Sequence, residues 1–275
     1  MDNSLDILCS CTVLLLVAAA SVSFGLSTKL RRAEPLCDRA KEGGLPRVVT
    51  SAALWALSPF MRAMIALGVS ANAVTAISLV AGAAAGLFLA WGHFGIASLL
   101  FAASSLGDAL DGLVARATRT ESAAGALFDA SVDRYEEFFA FGGLAIYFRS
   151  SGVLLALMLL ALAGSFMVSY GSAKAEALHV AVPRGSMRRA ERATCLSIGT
   201  TLVPIVGALS GRLHGAAWWG EIPVLLAIGV IAVSANLSAV RRLRTIAAAV
   251  SPKSLRPVRD RVPAPVGVNA PGNAR

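Results

Sequence analysis

Seven mostly apolar stretches, each near the length an α-helix needs to cross a bilayer, dominate this chain: Ile7–Leu26, Asn72–Trp91, Phe94–Leu113, Gly125–Phe148, Val153–Gly171, Cys195–Gly211 and Ile222–Val240. About 20 residues at a rise of about 1.5 Å each span the hydrocarbon core. No water is available there to satisfy backbone N–H and C=O groups, so an open sheet or loop is excluded and helices are favoured. The expected fold class is therefore all-α, a polytopic membrane protein. Charge is correspondingly scarce: 15% of residues are charged, against about 25% in soluble domains. Leu54–Leu67 is shorter and carries Arg62 among Trp55, Phe60 and Met61, a pattern that suits a helix lying in the interface. From Arg241 onward the chain turns basic and proline-rich, and the residues after about Val250 have the composition of a disordered tail.

The basic residues set an orientation. Lys29 to Arg62 supplies seven, Arg116 and Arg119 two, Lys174 to Arg192 five, and Arg241 to Arg261 seven. The intervening loops, near His93, Arg149 and Arg212, hold one arginine each at most. Cytoplasmic loops are the basic ones, so the N-terminus is expected outside and the C-terminus inside. The net charge of +9 is thus a topological signal; no zinc-finger spacing or aromatic-basic RNA motif points to nucleic acid. Met1–Asp6 holds two aspartates and no Lys or Arg, the reverse of a signal peptide's basic start, so the first span is read as an uncleaved anchor. Cys9, Cys11, Cys37 and Cys195 have no metal-ligand spacing and are read as packing residues.

One segment breaks the apolar pattern: Asp108, Asp111 and Arg116 close the third span, and Gly125, Asp129 and Asp133 open the fourth. A carboxylate at the membrane centre costs about 2.5–3.5 kcal/mol on insertion scales, so these groups must face the bundle interior and find cations or water. Asp108, Asp111 and Ala115 are three and four apart and share a helix face; Gly125, Asp129 and Asp133 are four apart and make a stripe on the next helix. A short loop joins the helices, which become antiparallel neighbours aiming four carboxylates at one volume. Such a cluster repels itself without a cation. Oxygen-only ligands select hard ions such as magnesium, manganese or calcium, and a pair of ions about 3.5–4 Å apart is a common device for displacement at phosphorus. Gly112 and Ala115 keep the helix face low for a bulky ligand, and Arg116 is placed to meet a phosphate oxygen. A buried polar network with Arg116 or Arg134 accounts for one aspartate better than for the ordered set.

The residues Asp108-x2-Asp111-Gly112-x2-Ala115-Arg116-x8-Gly125-x3-Asp129-x3-Asp133 are similar to the signature of the CDP-alcohol phosphatidyltransferase family at every fixed position. The resemblance covers about Ser58–Leu243, six of the seven spans. It implies a six-helix transmembrane core, residues 47–245 with the interfacial helix, open to the cytoplasm. Residues 1–46 then form an extra N-terminal transmembrane anchor and basic linker, and 246–275 the tail. It further implies two Mg2+ or Mn2+ ions held by Asp108, Asp111 and Asp129, with Asp133 nearby as general base and a further metal-site carboxylate. Gly112, Ala115, Arg116 and Gly125 would line the nucleotide site of a CDP-lipid such as CDP-diacylglycerol. A small alcohol acceptor would attack the lipid-linked phosphorus and release CMP, a step in phospholipid biosynthesis at the inner membrane. Asn72, in Ser70-Ala71-Asn72-x2-Thr75, resembles the family's nucleotide-contacting asparagine although Ala71 replaces a proline; its other role would be a helix N-cap.

For the acceptor, Ser169 to Glu176 and Arg188 to Arg192 resemble segments of bacterial phosphatidylinositol phosphate synthases. Lys174, Arg189 and Arg192 are the expected acceptor-phosphate residues, or else topological anchors at the ends of two spans. Inositol phosphate or a similar polyol phosphate is the expected acceptor, with glycerol phosphate the alternative. Glu136 and Glu137 are read as packing partners for Arg134 or Arg149. Gly82 and Gly86 allow close helix packing and with it a homodimer. A cation transporter is the rival class, but no pair of corresponding broken helices appears in two halves. The charge asymmetry makes a direct prediction: in intact cells, cysteine introduced at position 3 is labelled by an impermeant reagent while the C-terminal tail stays protected. Labelling with the opposite pattern overturns the topology.

Overall fold

The computed structural model describes residues 3–30, 47–182, 185, 187–214 and 217–250. Among the described residues eight α-helices follow in order: α1 Asn3–Leu30, α2 Arg47–Ala66, α3 Ala71–Ala90, α4 Phe94–Thr118, α5 Ala123–Tyr147, α6 Gly152–Ala177, α7 Arg189–His214 and α8 Ile222–Val250, with a short 3-10 helix, Ala217–Glu221, before α8. There is no strand among the described residues. α3, α4, α6, α7 and the segment ending in α8 are each long and apolar enough to cross a membrane. α5 is as long, at 25 residues, but carries the polar stripe. Large apolar side chains such as Ile77, Val80, Leu160, Leu226 and Val233 stay exposed, as a lipid-facing surface requires. The chain is a polytopic α-helical membrane protein. The expected basic linker 31–46 and tail 251–275 lie outside the described residues, whereas 246–250, assigned to the tail by sequence, continue α8.

Short turns make the helices alternate in direction. Ser70 caps α3, its side chain accepting from Ala73 N; Ser122 caps α5 by accepting from Gly125 N; Ser151 caps α6 by accepting from Leu154 N. α4 ends at Arg119 in the left-handed region, φ 55°. The starts of α3, α5 and α7 and the ends of α4, α6 and α8 therefore gather at one pole, where the basic clusters lie.

At the other pole, Asp6 of α1 caps α4: its Oδ1 accepts from Gly95 N at 2.9 Å and Ile96 N at 3.1 Å, and its Oδ2 lies 3.0 Å from His93 Nδ1. A carboxylate at a helix N-terminus satisfies otherwise orphaned donors. It also places the start of α1 beside the α3–α4 turn, as the charge-based topology requires.

α3 and α5 pack by backbone contact. A Cβ on Gly86 would meet Phe139 O at 2.4 Å, and one on Gly143 would meet Gly86 O at 2.1 Å. Gly82 likewise faces Glu136 of α5. The small-residue stripe read as allowing a dimer is thus spent on packing within the chain. Below the polar pole, Leu89, Phe94, Phe101, Phe141, Leu144, Met158, Ile228 and Ile231 form a buried core. Gly86→Ala is expected to overpack the α3–α5 contact at a cost of about 1–3 kcal/mol and to lower Tm in detergent. Gly142→Ala, whose Cβ meets nothing within 4 Å, should leave Tm unchanged or raised.

Candidate active site

The carboxylates converge at the basic pole from α4 and α5; these helices are not the closely packed neighbours expected from sequence, because each packs on α3 instead. Asp111 is buried and its Oδ2 accepts from Thr75 Oγ1 of α3 at 2.6 Å. Asp108 and Asp133 meet at Arg189 from α7: Nη2 lies 2.5 Å from Asp108 Oδ2, and Nη1 lies 2.9 Å from Asp133 Oδ1. Asp129, half-buried one turn before Asp133, is within coulombic range of Asp108 and Asp111. Arg134 stands 3.7 Å from Asp133 and donates to Ala130 O.

A fifth carboxylate joins them. Glu136 Oε2 takes Arg189 Nη2 at 2.5 Å, and Glu136 Oε1 accepts from Ser104 Oγ at 2.7 Å. Its neighbour Glu137 takes Arg192, with Nε at 2.8 Å and Nη2 in direct contact. The expectation that these glutamates serve Arg134 or Arg149 is corrected: their partners are Arg189 and Arg192. The sequence offered no local signal, because the arginines lie 53 and 55 residues downstream.

Oxygen atoms of Asp108, Asp133 and Glu136 lie within 4.8 Å of one another, and buried Asp108 Oδ1 has no hydrogen-bond partner. Arg189 supplies one positive charge against these three acids. An oxygen-only donor set with excess negative charge and an unsatisfied buried oxygen fits a hard divalent cation.

The expected nucleotide residues line the same pole. A Cβ on Gly125 would lie 3.6 Å from Asn72 Oδ1, ordinary van der Waals contact, so Gly125 of α5 stands beside Asn72 of α3. Ser70, not Asn72, is the N-cap of α3, which leaves the exposed Asn72 side chain available for a ligand. Arg116 folds over Gly112, where a Cβ would sit 3.2 Å from its Nη1. Ala115 is half-buried on the same stretch of α4.

Next to the carboxylates, α5, α6, α7 and α8 enclose a cavity of about 190 Å3. Arg188, Arg189, Arg192, Arg242 and Ser172 line it, with Asp133 at its edge. Arg192 is itself spent: besides Glu137 it donates to Met187 O at 2.6 Å and is 2% exposed. Lys174, in the last turn of α6, is exposed and does not line the cavity. Arg242, which sequence reasoning passed over as part of a basic run, enters it from α8. Its Nη1 contacts Ser172 Oγ, and its buried Nε has no partner.

Comparison with known proteins agrees with this architecture. The family model for CDP-alcohol phosphatidyltransferase matches residues 68–250. The chain is 31% identical over 197 residues to a phosphatidylinositol phosphate synthase of Streptomyces avermitilis, covering 69% of this chain and 77% of that protein. It is 33% identical over 162 residues to an archaetidylinositol phosphate synthase of Methanothermobacter thermautotrophicus, covering 58% and 76%. The crystal structure of phosphatidylinositol phosphate synthase of Mycobacterium tuberculosis in complex with manganese and citrate superposes with TM-score 0.60 at 24% identity, covering 69% of this chain and 88% of that one; this likeness shows the shared fold.

The Thr75 hydroxyl fixes one oxygen of Asp111 from a helix that carries no acid of its own. A hydrogen bond to a charged group contributes about 1.5–3 kcal/mol, so Thr75→Val is expected to weaken Mn2+ binding by tenfold or more, read by electron paramagnetic resonance of the free ion. Thr75→Ser should restore most of the affinity.

Proposed function

The chain belongs to the CDP-alcohol phosphatidyltransferase family, and from that premise we propose that it transfers the phosphatidyl group of CDP-diacylglycerol to inositol phosphate or a similar polyol phosphate, releasing CMP. One observation carries the reading: Asp133 belongs both to the cation-compatible carboxylates and to the wall of the arginine-lined cavity. A single carboxylate at that junction can meet a hydroxyl held on one side and a phosphorus activated on the other.

Asp108, Asp111, Asp129 and Asp133 would hold two Mg2+ or Mn2+ ions. When bound, the ions neutralise the diphosphate and polarise its oxygens. Asn72, Gly112, Ala115, Arg116 and Gly125 form the nucleotide side, where the glycines leave room and Arg116 meets a phosphate oxygen. Arg189 and Arg242, with Arg188, receive the acceptor's phosphate, because a cavity lined by guanidinium groups favours a dianion in a planar, bidentate manner. Lys174 is left outside that contact, and Arg192 supports it through Glu137 and Met187. Asp133 takes the proton of the attacking hydroxyl, the oxygen–phosphorus bond forms, and CMP departs with the electron pair of the broken bond. The site opens at the pole of the basic loops, and that charge bias supports a site facing the cytoplasm from the inner membrane. The small cavity and its arginines favour a phosphorylated acceptor over free inositol or serine.

The test is CMP release and product mass spectrometry with full-length protein in detergent, CDP-diacylglycerol, and a panel of inositol phosphate, glycerol phosphate, inositol and serine. Inositol phosphate should be used best, activity should vanish with a chelator and return with Mg2+ or Mn2+, and Asp133→Asn should lower kcat by about 10²–10⁴. Preference for glycerol phosphate would move the chain to the other acceptor class. Turnover in metal-free buffer would remove the cation from the reading.

A further inference from the structure

Glu136 lies outside the aspartate signature, yet the fold is shaped around it. It follows Asp133 by three residues on α5 and extends the same stripe one turn deeper. It is 6% exposed. Its stem passes α3 where Gly82 has no side chain; a Cβ there would come within 2.9 Å of Glu136 Cγ. α4 supplies Ser104, whose Oγ donates to Oε1 and is also 3.1 Å from Ser78 O. α7 supplies Arg189 to Oε2. A gap, a donor and a cation thus come from three different helices, which is more than a solvated surface acid receives.

Arg189 lies at a border. On one side is the 190 Å3 cavity; behind it is a second pocket of about 40 Å3, lined by Phe101, Ser104, Glu136, Phe141 and Leu196 among others. Glu136, which lines the second pocket and not the larger cavity, adds a third anchor to the guanidinium, because Nη2 is shared at 2.5 Å between Asp108 Oδ2 and Glu136 Oε2.

We propose that Glu136 is the positioning residue for Arg189, holding its guanidinium at the edge of the carboxylate cluster so that its remaining donors face an anionic group in the cavity. This rests on the reading of that cavity as the acceptor site. Glu136 is then a determinant of acceptor affinity that acts through Arg189 and touches neither substrate.

Initial-rate kinetics with full-length protein, CDP-diacylglycerol and inositol phosphate test it. Glu136→Gln should raise the acceptor KM about tenfold, the effect of losing one charge-assisted hydrogen bond, with the CDP-lipid KM within about twofold. Glu136→Asp should recover part of the loss, and Ser104→Ala, a milder change, should move acceptor KM in the same direction. In an Arg189→Ala background, Glu136→Gln should add nothing. Equal rises in both KM values, or full additivity with Arg189→Ala, would reduce Glu136 to a packing residue and overturn the proposal. Weaker Mn2+ binding with acceptor KM unmoved would make it a metal ligand and overturn it equally. An unchanged acceptor KM in Arg189→Ala alone would sink the cavity reading; a raised one there with a normal Glu136→Gln would sink only the role of Glu136.

Discussion

Carboxylates placed among apolar helices need positive charge, and in this protein much of the architecture follows from where that charge comes from. Arg189 reaches from the first turn of α7 to Asp108 on α4 and to Asp133 and Glu136 on α5. One planar guanidinium, always protonated and carrying several donors in a fixed fork, therefore ties three helices at the polar pole. The tie leaves the cluster acidic, with three carboxylates to Arg189 and the more distant Arg134, and α6 and α8 bring no acid to it. The acids are thereby held in place while their excess negative charge still favours a divalent cation.

That arrangement depends on helices approaching more closely than ordinary side chains permit. Gly86 and Gly143 let α3 and α5 touch by their backbones, and Gly82 opens the space that Glu136 fills. α3 thereby delivers Thr75 to Asp111, so a helix with no acid of its own fixes the orientation of a carboxylate on its neighbour. α1, which precedes the family core, is held at the opposite pole by Asp6 on the start of α4. A substitution there acts on packing of the extra helix, remote from the chemistry.

How much of this the sequence displayed depends on distance along the chain. Spans were legible because a run of about 20 apolar residues has few alternatives, and the aspartate stripes because spacings of three and four are helix geometry. Seven expected spans correspond to seven helices, with boundaries displaced where polar ends extend them, as Arg189 to Arg192 extend α7. The partners of Glu136 and Glu137 were not legible: each lies more than 50 residues away, and Arg134 and Arg149 were nearer in sequence. Arg242 was hidden for a different reason. In a basic run, a positive-inside anchor and a ligand-facing arginine look alike until the packing of α8 against α6 brings Arg242 to Ser172. The N-cap that the motif left open to Asn72 is taken by Ser70.

The depth at which the polar groups stop separates an enzyme from an ion path. A conduit would need polar side chains continuing through the bundle toward the other face. Among the described residues the stripe of α5 ends at Glu136, and Ala140, Phe141, Leu144 and Ala145 follow it, each no more than 9% exposed. Phe101 of α4 and Met158 of α6 close the same level. Two buried hydroxyls below, Ser98 and Thr200, are spent on carbonyls of their own helices. A cation attracted to the carboxylates therefore has a floor beneath it and an arginine-lined wall beside it. The wall repels a cation and attracts an anion, so the site suits two charged reactants that meet and leave by the same face, which is the geometry of group transfer.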